Sequence, residues 1–383
     1  MAEPRIRLGM VGGGRGAFIG AVHRIASRID DKYELVAGAL SSNPENAKAS
    51  AEDLLIDADR SYASYEEMFA KERAREDGIE AVAIVTPNHM HFPVAKAALE
   101  AGIHVICDKP VTRTLDEALE LKKIVESSGC FFALTHNYSG YPLVRYAREM
   151  VERGDLGNIR LVQVEYPQEW LTEAQDSDNK QASWRTDPER SGKAGCLGDI
   201  GTHAFQLARF ISGHKVTSVC ADLTAFVPGR PVDDNVHVML RFDNGAKGML
   251  WTSQVAPGCE NGLRIRLYGD KAGLSWSQEV PNEMWFTPLN QPHQRITRRG
   301  DNLDSTIAVR GIRIPQGHPE GYLEGFATVY SDIADVLQAR RLGKEADIAS
   351  WIPGIDTGVE GLQFISAVIA SSEADSRWTA LSD

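Results

Sequence analysis

The 383 residues are 43% hydrophobic and 25% charged, an ordinary globular balance that excludes extended disorder and supplies enough apolar side chains for two cores. Lysine and arginine number 41 against 53 acidic residues, a net charge of -12 without any basic run, which argues against a nucleic-acid partner and leaves room only for local cationic pockets. Five scattered cysteines (Cys107, Cys130, Cys196, Cys220 and Cys259) contain no C-x-x-C pair, so neither a disulfide framework nor a zinc site is predicted, and the compartment reads as reducing.

The first apolar run begins within a few residues of Met1 and no run reaches about 18 residues, so a cytoplasmic protein with no leader and no membrane span is expected. That first run lies in Arg5–Gly20 (RIRLGMVGGGRGAFIG), where Ile6, Leu8, Met10 and Val11 enter a glycine cluster that opens a helical segment. Gly12, Gly14, Arg15, Gly16 and Ala17 satisfy G-x-G-x-x-G/A. Such a turn lets backbone amides approach a pyrophosphate, and the helix start adds partial positive charge. The second strand, Tyr33–Leu40, ends in Ser41 and Ser42 where a ribose-binding acid is common, and no arginine follows to take a 2′-phosphate.

Helices are predicted over Pro44–Ala58 and Tyr65–Glu76, the latter with Ser64 and Glu67 as a capping box. Ala81–Val85 is the third strand, followed by Thr86-Pro87-Asn88 and a short helix over Pro93–Ala101; His89 and His91 read as capping or packing groups rather than metal ligands. His104–Cys107 is the fourth strand, ending at Asp108-Lys109-Pro110, Leu115–Ser128 an amphipathic helix, and Cys130–Leu134 the fifth strand, ending at His136, Asn137 and Tyr138. This alternation predicts a parallel sheet with its ligand beyond the carboxyl ends of the strands, where all of these loops sit.

Near residue 140 the pattern changes. After a helix over Tyr141–Arg153 come alternating runs at Ile159–Tyr166, Val216–Phe226, Val236–Phe242, Lys247–Val255, Leu263–Tyr268 and Gly273–Trp276, with Asp243-Asn244-Gly245 as a hairpin turn. An antiparallel sheet of about six strands is expected. Asp199–Ile211, Glu320–Leu342 and Ile355–Ala374 are predicted helices, while Gln168–Gly195 and Pro288–Pro319 read as long loops of lid or binding type. The i, i+4 spacing sets Asp199 and His203 on one face at a helix start.

With the glycine turn, Thr86-Pro87-Asn88 with His91, Gly102-Ile103-His104-Val105 leading to Lys109-Pro110, Gly154-Asp155-Leu156-Gly157 and Gly198-Asp199-Ile200-Gly201-Thr202-His203 in order, the chain resembles the glucose-fructose oxidoreductase / inositol dehydrogenase / rhizopine catabolism (Gfo/Idh/MocA) oxidoreductases over essentially its whole length. The resemblance implies an α/β protein: an N-terminal Rossmann NAD(P)-binding domain (1–138) and a C-terminal α+β domain with a mostly antiparallel open sheet (139–383, closing helix about 355–374). It also implies NAD or NADP as cofactor, NAD favoured, a carbohydrate or cyclitol substrate, and a homodimer or homotetramer formed through that sheet. By motif match Lys109, Asp199 and His203 would be the catalytic trio. The cofactor contacts would come from Gly12, Gly14, Arg15, Gly16, Ala17, Ser41, Ser42, Thr86, Asn88, His91, Asp108 and Lys109.

Two positions depart from the family pattern: Asp108 stands for the usual Glu before Lys-Pro, and Ser41 for the common acidic ribose ligand. The chemistry of the trio is coherent in itself, since oxidising a secondary alcohol needs a base of near-neutral pKa, His203, and a cation for the developing alkoxide, Lys109. Asn137, Tyr138, Trp184 and Arg185 are further candidate substrate contacts, the last two as a stacking face and a polar clamp. Two other readings are an NAD-using glycosidase acting by transient oxidation and a cofactor-binding regulator without catalysis.

Overall fold

Parallel pairing dominates the first part of the chain. In the computed structural model, which describes residues 4–174, 185–298 and 303–381, strands β1 (Ile6–Gly12), β2 (Tyr33–Ala39), β3 (Ala81–Val85), β4 (His104–Cys107) and β5 (Phe132–Leu134) form one sheet in the order β2-β1-β3-β4-β5. Every pairing in it is parallel. The crossovers carry α1 (Phe18–Ile29), α2 (Pro44–Asp53), α3 (Tyr65–Arg73), α4 (His91–Glu100) and α5 (Leu115–Ser128). Because the order reverses between β1 and β3, a crevice opens beyond their carboxyl ends.

The chain divides into two compact units, Met1–Asn137 with Tyr322–Val359 and Tyr138–Gly321 with Glu360–Asp383. The sequence reading set all of 139–383 in the second domain; instead α8 (Tyr322–Arg341) packs within the first unit. A parallel sheet must be covered on both faces. Phe326, Tyr330, Ile333 and Leu337 do this, joining Ile6, Leu8, Met10, Val22 and Ala83 in one buried cluster. Polar contacts pin the same helix: His23 Nδ1 lies 2.8 Å from the Tyr330 hydroxyl, and the Tyr33 hydroxyl donates to the Tyr330 carbonyl at 2.8 Å.

The second unit is built on a nine-stranded sheet among the described residues, in the order β13-β12-β11-β10-β6-β9-β8-β7-β14. Its strands are β6 (Ile159–Pro167), β7 (Val216–Thr224), β8 (Asn235–Phe242), β9 (Lys247–Ser253), β10 (Arg264–Gly269), β11 (Ala272–Ser277), β12 (Glu283–Pro288), β13 (Gln294–Thr297) and β14 (Thr379–Ala380). All pairings are antiparallel except β6 with β9, which lie parallel. The Asn244-Gly245 turn closes the β8–β9 hairpin, with Gly245 at φ 87. Helices α6 (Pro142–Glu152), α7 (Thr202–Ser212) and α9 (Ile355–Glu373) complete the larger elements, the first residues of α9 being counted with the first unit.

Three strands exceed the six expected. Of these, β12 and β13 pair beside β11; β13 and a helical turn over Thr306–Arg310 lie where Pro288–Pro319 reads from sequence as loop. Gln294–Thr297 (QRIT) is a short charged edge strand, a design that blunts edges and erases the apolar alternation that would announce it. One face of the sheet is left exposed. Met239, Met249, Gln163, Arg266, Ser275 and Trp285 line up across neighbouring strands there, with Leu161 opposite Tyr268 in the next row. Among the described residues, no helix is long and apolar enough to cross a membrane.

Candidate active site

In the first unit the glycine turn is shaped by close approaches that a Cβ would block. Gly12 and Gly13 hold φ of 80 and 75, and a Cβ on Gly12 would sit 2.9 Å from the Val85 carbonyl oxygen. A Cβ on Gly20, in the first helix, would come within 2.4 Å of Gly13 Cα. The tight helix-to-turn packing therefore rests on Gly20, one turn beyond Ala17; only the spacing Gly13 to Gly20 hinted at it. Ala17 precedes α1 in an extended conformation, and no acidic side chain occupies the first turn, which keeps the positive end of the helix available to an anion. Gly16 has φ 81 and open space around it.

The third glycine meets the end of β2. Gly14 donates to the Leu40 carbonyl at 3.0 Å, and the Arg15 amide donates to Ser50 Oγ at 2.9 Å. The hydroxyl of Ser41 accepts from the Asn43 amide (3.1 Å) and from Asn46 Nδ2 (3.2 Å); Ser42 is exposed.

At the end of β3 the Thr86 hydroxyl oxygen is buried without a hydrogen-bond partner among the described residues, and Asn88 is buried beside it in sequence. The His91 ring spans two loops: Nδ1 lies 2.6 Å from the Pro110 carbonyl and Nε2 lies 2.9 Å from the Thr86 carbonyl. His91 thus ties Lys109-Pro110 to Thr86. Burial pushes its pKa down, against the pull of the Asp108 carboxylate.

Asp108 Oδ1 accepts from the Lys109 amide at 2.9 Å and from the Thr135 hydroxyl at 3.1 Å, so the shorter acid is used to fix the strand-end loops. His136 is buried, and burial together with the Lys109 ammonium drives it down to about 3, leaving it neutral. Asn137 is also buried, with Nδ2 unpartnered among the described residues. A positive-φ turn that a Cβ would fill, an acid-free helix start and orphaned polar atoms at two strand ends fit a dinucleotide.

In the second unit His203 and Asp199 stand on different local structures. Asp199 belongs to a π-helical turn, Leu197–Gly201, that runs directly into α7, where sequence spacing predicts an ordinary helix start. Such widened turns recur at functional sites. Asp199 Oδ2 accepts from Arg185 Nε at 3.1 Å and from Gln254 Nε2 at 2.9 Å. His203, nearly buried, meets the Tyr138 ring edge-on at 5.0 Å. The Tyr138 and Tyr166 hydroxyls are 2.5 Å apart, and Tyr166 donates to Asn261 Oδ1 at 2.7 Å, which also receives Gln168 Nε2 at 2.8 Å. Trp184 lies outside the described residues.

The turn is stapled by a buried carboxylate. Asp233 Oδ1 accepts the Gly195 amide at 2.7 Å and Oδ2 the Leu197 amide at 2.8 Å, while its carbonyl accepts Cys196 N at 2.9 Å. Gln254, Tyr166, Asn261 and Asp233 escaped the sequence reading. The last carries a legible trace, a pair of acids directly before a strand.

Comparison with known proteins agrees with both units. Residues 6–136 match the model of the oxidoreductase family, NAD-binding Rossmann fold, and residues 144–275 match the GFO/IDH/MocA C-terminal domain. A crystal structure of an oxidoreductase from Sinorhizobium meliloti is 54% identical, covers 98% of this chain and 99% of its own, and superimposes with a TM-score of 0.90. The inositol dehydrogenase homolog from Azotobacter vinelandii, complexed with NADH and myo-inositol, is 34% identical over 98% of this chain and 97% of its own, with a TM-score of 0.91. A levoglucosan dehydrogenase from Pseudarthrobacter phenanthrenivorans (strain DSM 18606 / JCM 16027 / LMG 23796 / Sphe3) is 31% identical over 73% of this chain and 75% of its own length.

Proposed function

We propose, from the premise that this chain belongs to the GFO/IDH/MocA family of NAD-binding oxidoreductases, that it oxidises a secondary hydroxyl of a cyclitol, sugar or anhydrosugar. The observation carrying this reading is the nearly buried His203 against Tyr138 and Tyr166, with Asp199, four residues before it, held by Arg185 and Gln254, a set of neutral and charge-assisted hydrogen-bonding groups suited to a ring rich in hydroxyls. The myo-inositol and levoglucosan relatives support the substrate class.

When bound, the dinucleotide supplies a nicotinamide ring that accepts the carbinol hydride. In this reading His203 takes the hydroxyl proton, and Lys109 offsets the negative charge growing on that oxygen. Asp199, held by Arg185 and Gln254, receives a neighbouring substrate hydroxyl. Gly12, Gly14, Gly16 and Ala17 give the pyrophosphate turn, Arg15, Ser41 and Ser42 the ribose end, and Thr86, Asn88, Asp108 and Asn137 the nicotinamide end, with His91 positioning Lys109-Pro110. The exposed row from Met239 to Trp285 supports self-association through the open sheet.

The test is direct. Purified protein with NAD or NADP and a panel of cyclitols, aldoses and anhydrosugars is expected to generate nicotinamide absorbance with at least one of them. Silence across the panel overturns the assignment, and sugar release from a glycoside without net NADH assigns the glycosidase reading instead.

A further inference from the structure

The ribose end of the cradle contains a cation that is already engaged. Arg15 is the residue after Gly14, anchored through its own amide to Ser50, and so stands where the end of β2 meets α2. A guanidinium at this end is the group that welcomes a 2′-phosphate in NADP-using folds. Here it lies flat against Asp53, the last residue of α2, with Nε 2.6 Å from Oδ2 and Nη2 2.7 Å from Oδ1. This is the bidentate geometry a phosphate would otherwise receive.

The remaining groups favour a hydroxyl. Ser41 Oγ already accepts two hydrogen bonds, so it has its O–H left to donate to a neutral ribose oxygen. Glu45 is an acidic residue in the first turn of α2, and Lys48 is an exposed residue of the second turn.

We propose that Asp53 is the residue that selects NAD over NADP, by occupying Arg15 in a bidentate pair and presenting a carboxylate to any 2′-phosphate. It works as specificity often does, through a repulsive element as well as an attractive one. The inference rests on the first unit holding the dinucleotide and requires no knowledge of the substrate.

Calorimetric titration of NAD and NADP into the full-length protein tests it. The wild type is expected to bind NAD more tightly. Asp53→Ala frees Arg15 and should tighten NADP by about five- to tenfold, with NAD changed less than about twofold, and Asp53→Asn should shift the same way by less. The gain should vanish in the Arg15→Ala/Asp53→Ala double variant and shrink with added salt. A wild type that prefers NADP, an unchanged NADP/NAD ratio in Asp53→Ala, or a gain that survives loss of Arg15 would each overturn the proposal. Because binding is read without turnover, a protein that discriminates in this way yet reduces no cofactor with any polyol counts against the proposed reaction and leaves this inference standing.

Discussion

The glycine turn of the first unit and the histidine cluster of the second are built by opposite means. The turn is made of backbone: Gly12, Gly13, Gly14 and Gly20 matter for side chains they lack, with the Val85 carbonyl against Gly12, the Leu40 carbonyl against Gly14 and Gly13 Cα against Gly20. The cluster is made of side chains drawn from Tyr138, Tyr166, Arg185, Asp199, His203, Gln254 and Asn261, residues up to 123 positions apart in the chain and joined only by folding. A backbone device is specified locally and tolerates no added atom. A side-chain device is specified globally, and each member can be removed without rebuilding the frame.

That contrast can be broken by variants of each kind. His203→Ala is expected to lower kcat by about 10² to 10⁴ while leaving NAD affinity within about twofold; if both fall together in steady-state kinetics and titration, the two functions are not separable. Gly20→Ala should do the reverse, costing about 3 kcal/mol in thermal melting and weakening NAD, because its Cβ would fall 2.4 Å from Gly13 Cα. An alanine variant of wild-type stability and affinity would refute the close-packing account.

Asp233→Asn sharpens the comparison, since it touches the frame of the side-chain device. An amide cannot accept from both Gly195 and Leu197 on two oxygens, so a loss of about 2 kcal/mol is expected. Burial pushes the Asp233 carboxyl up to about 6 from 3.8, so the native state holds that proton more tightly than the unfolded chain. The proton's contribution favours folding at pH below 3.8 and is lost as pH rises through about 6. Asparagine has no such proton, so the gap between wild type and variant should narrow over that range in pH-dependent melting; a constant or widening gap contradicts this. Least disruptive is Met249→Glu on the open sheet face, expected to change monomer stability by less than about 0.5 kcal/mol while weakening self-association in sedimentation.

Legibility follows the same division. Ala81–Val85, His104–Cys107 and Leu115–Ser128 have the bounds the sequence suggests, because buried parallel strands and a capped amphipathic helix carry their signals in consecutive residues. The return of Tyr322–Arg341 to the first unit was not legible, since nothing local tells which sheet face a helix covers. The same holds for Gln254 and Asn261: a neutral amide acquires a role only from its partners, and Asp199 gains Arg185 only after the intervening loop closes. The π-helical turn at Leu197–Gly201 was hidden for another reason, as one inserted residue leaves the apolar pattern of α7 intact.

The central claim, direct passage of a hydride from a substrate carbinol carbon to the cofactor, is tested most directly by isotope. With the best polyol of the panel deuterated at the oxidised carbon, the reduced nicotinamide product is predicted to carry one deuterium per turnover by mass spectrometry. Unlabelled product, with the deuterium found in water, would contradict it.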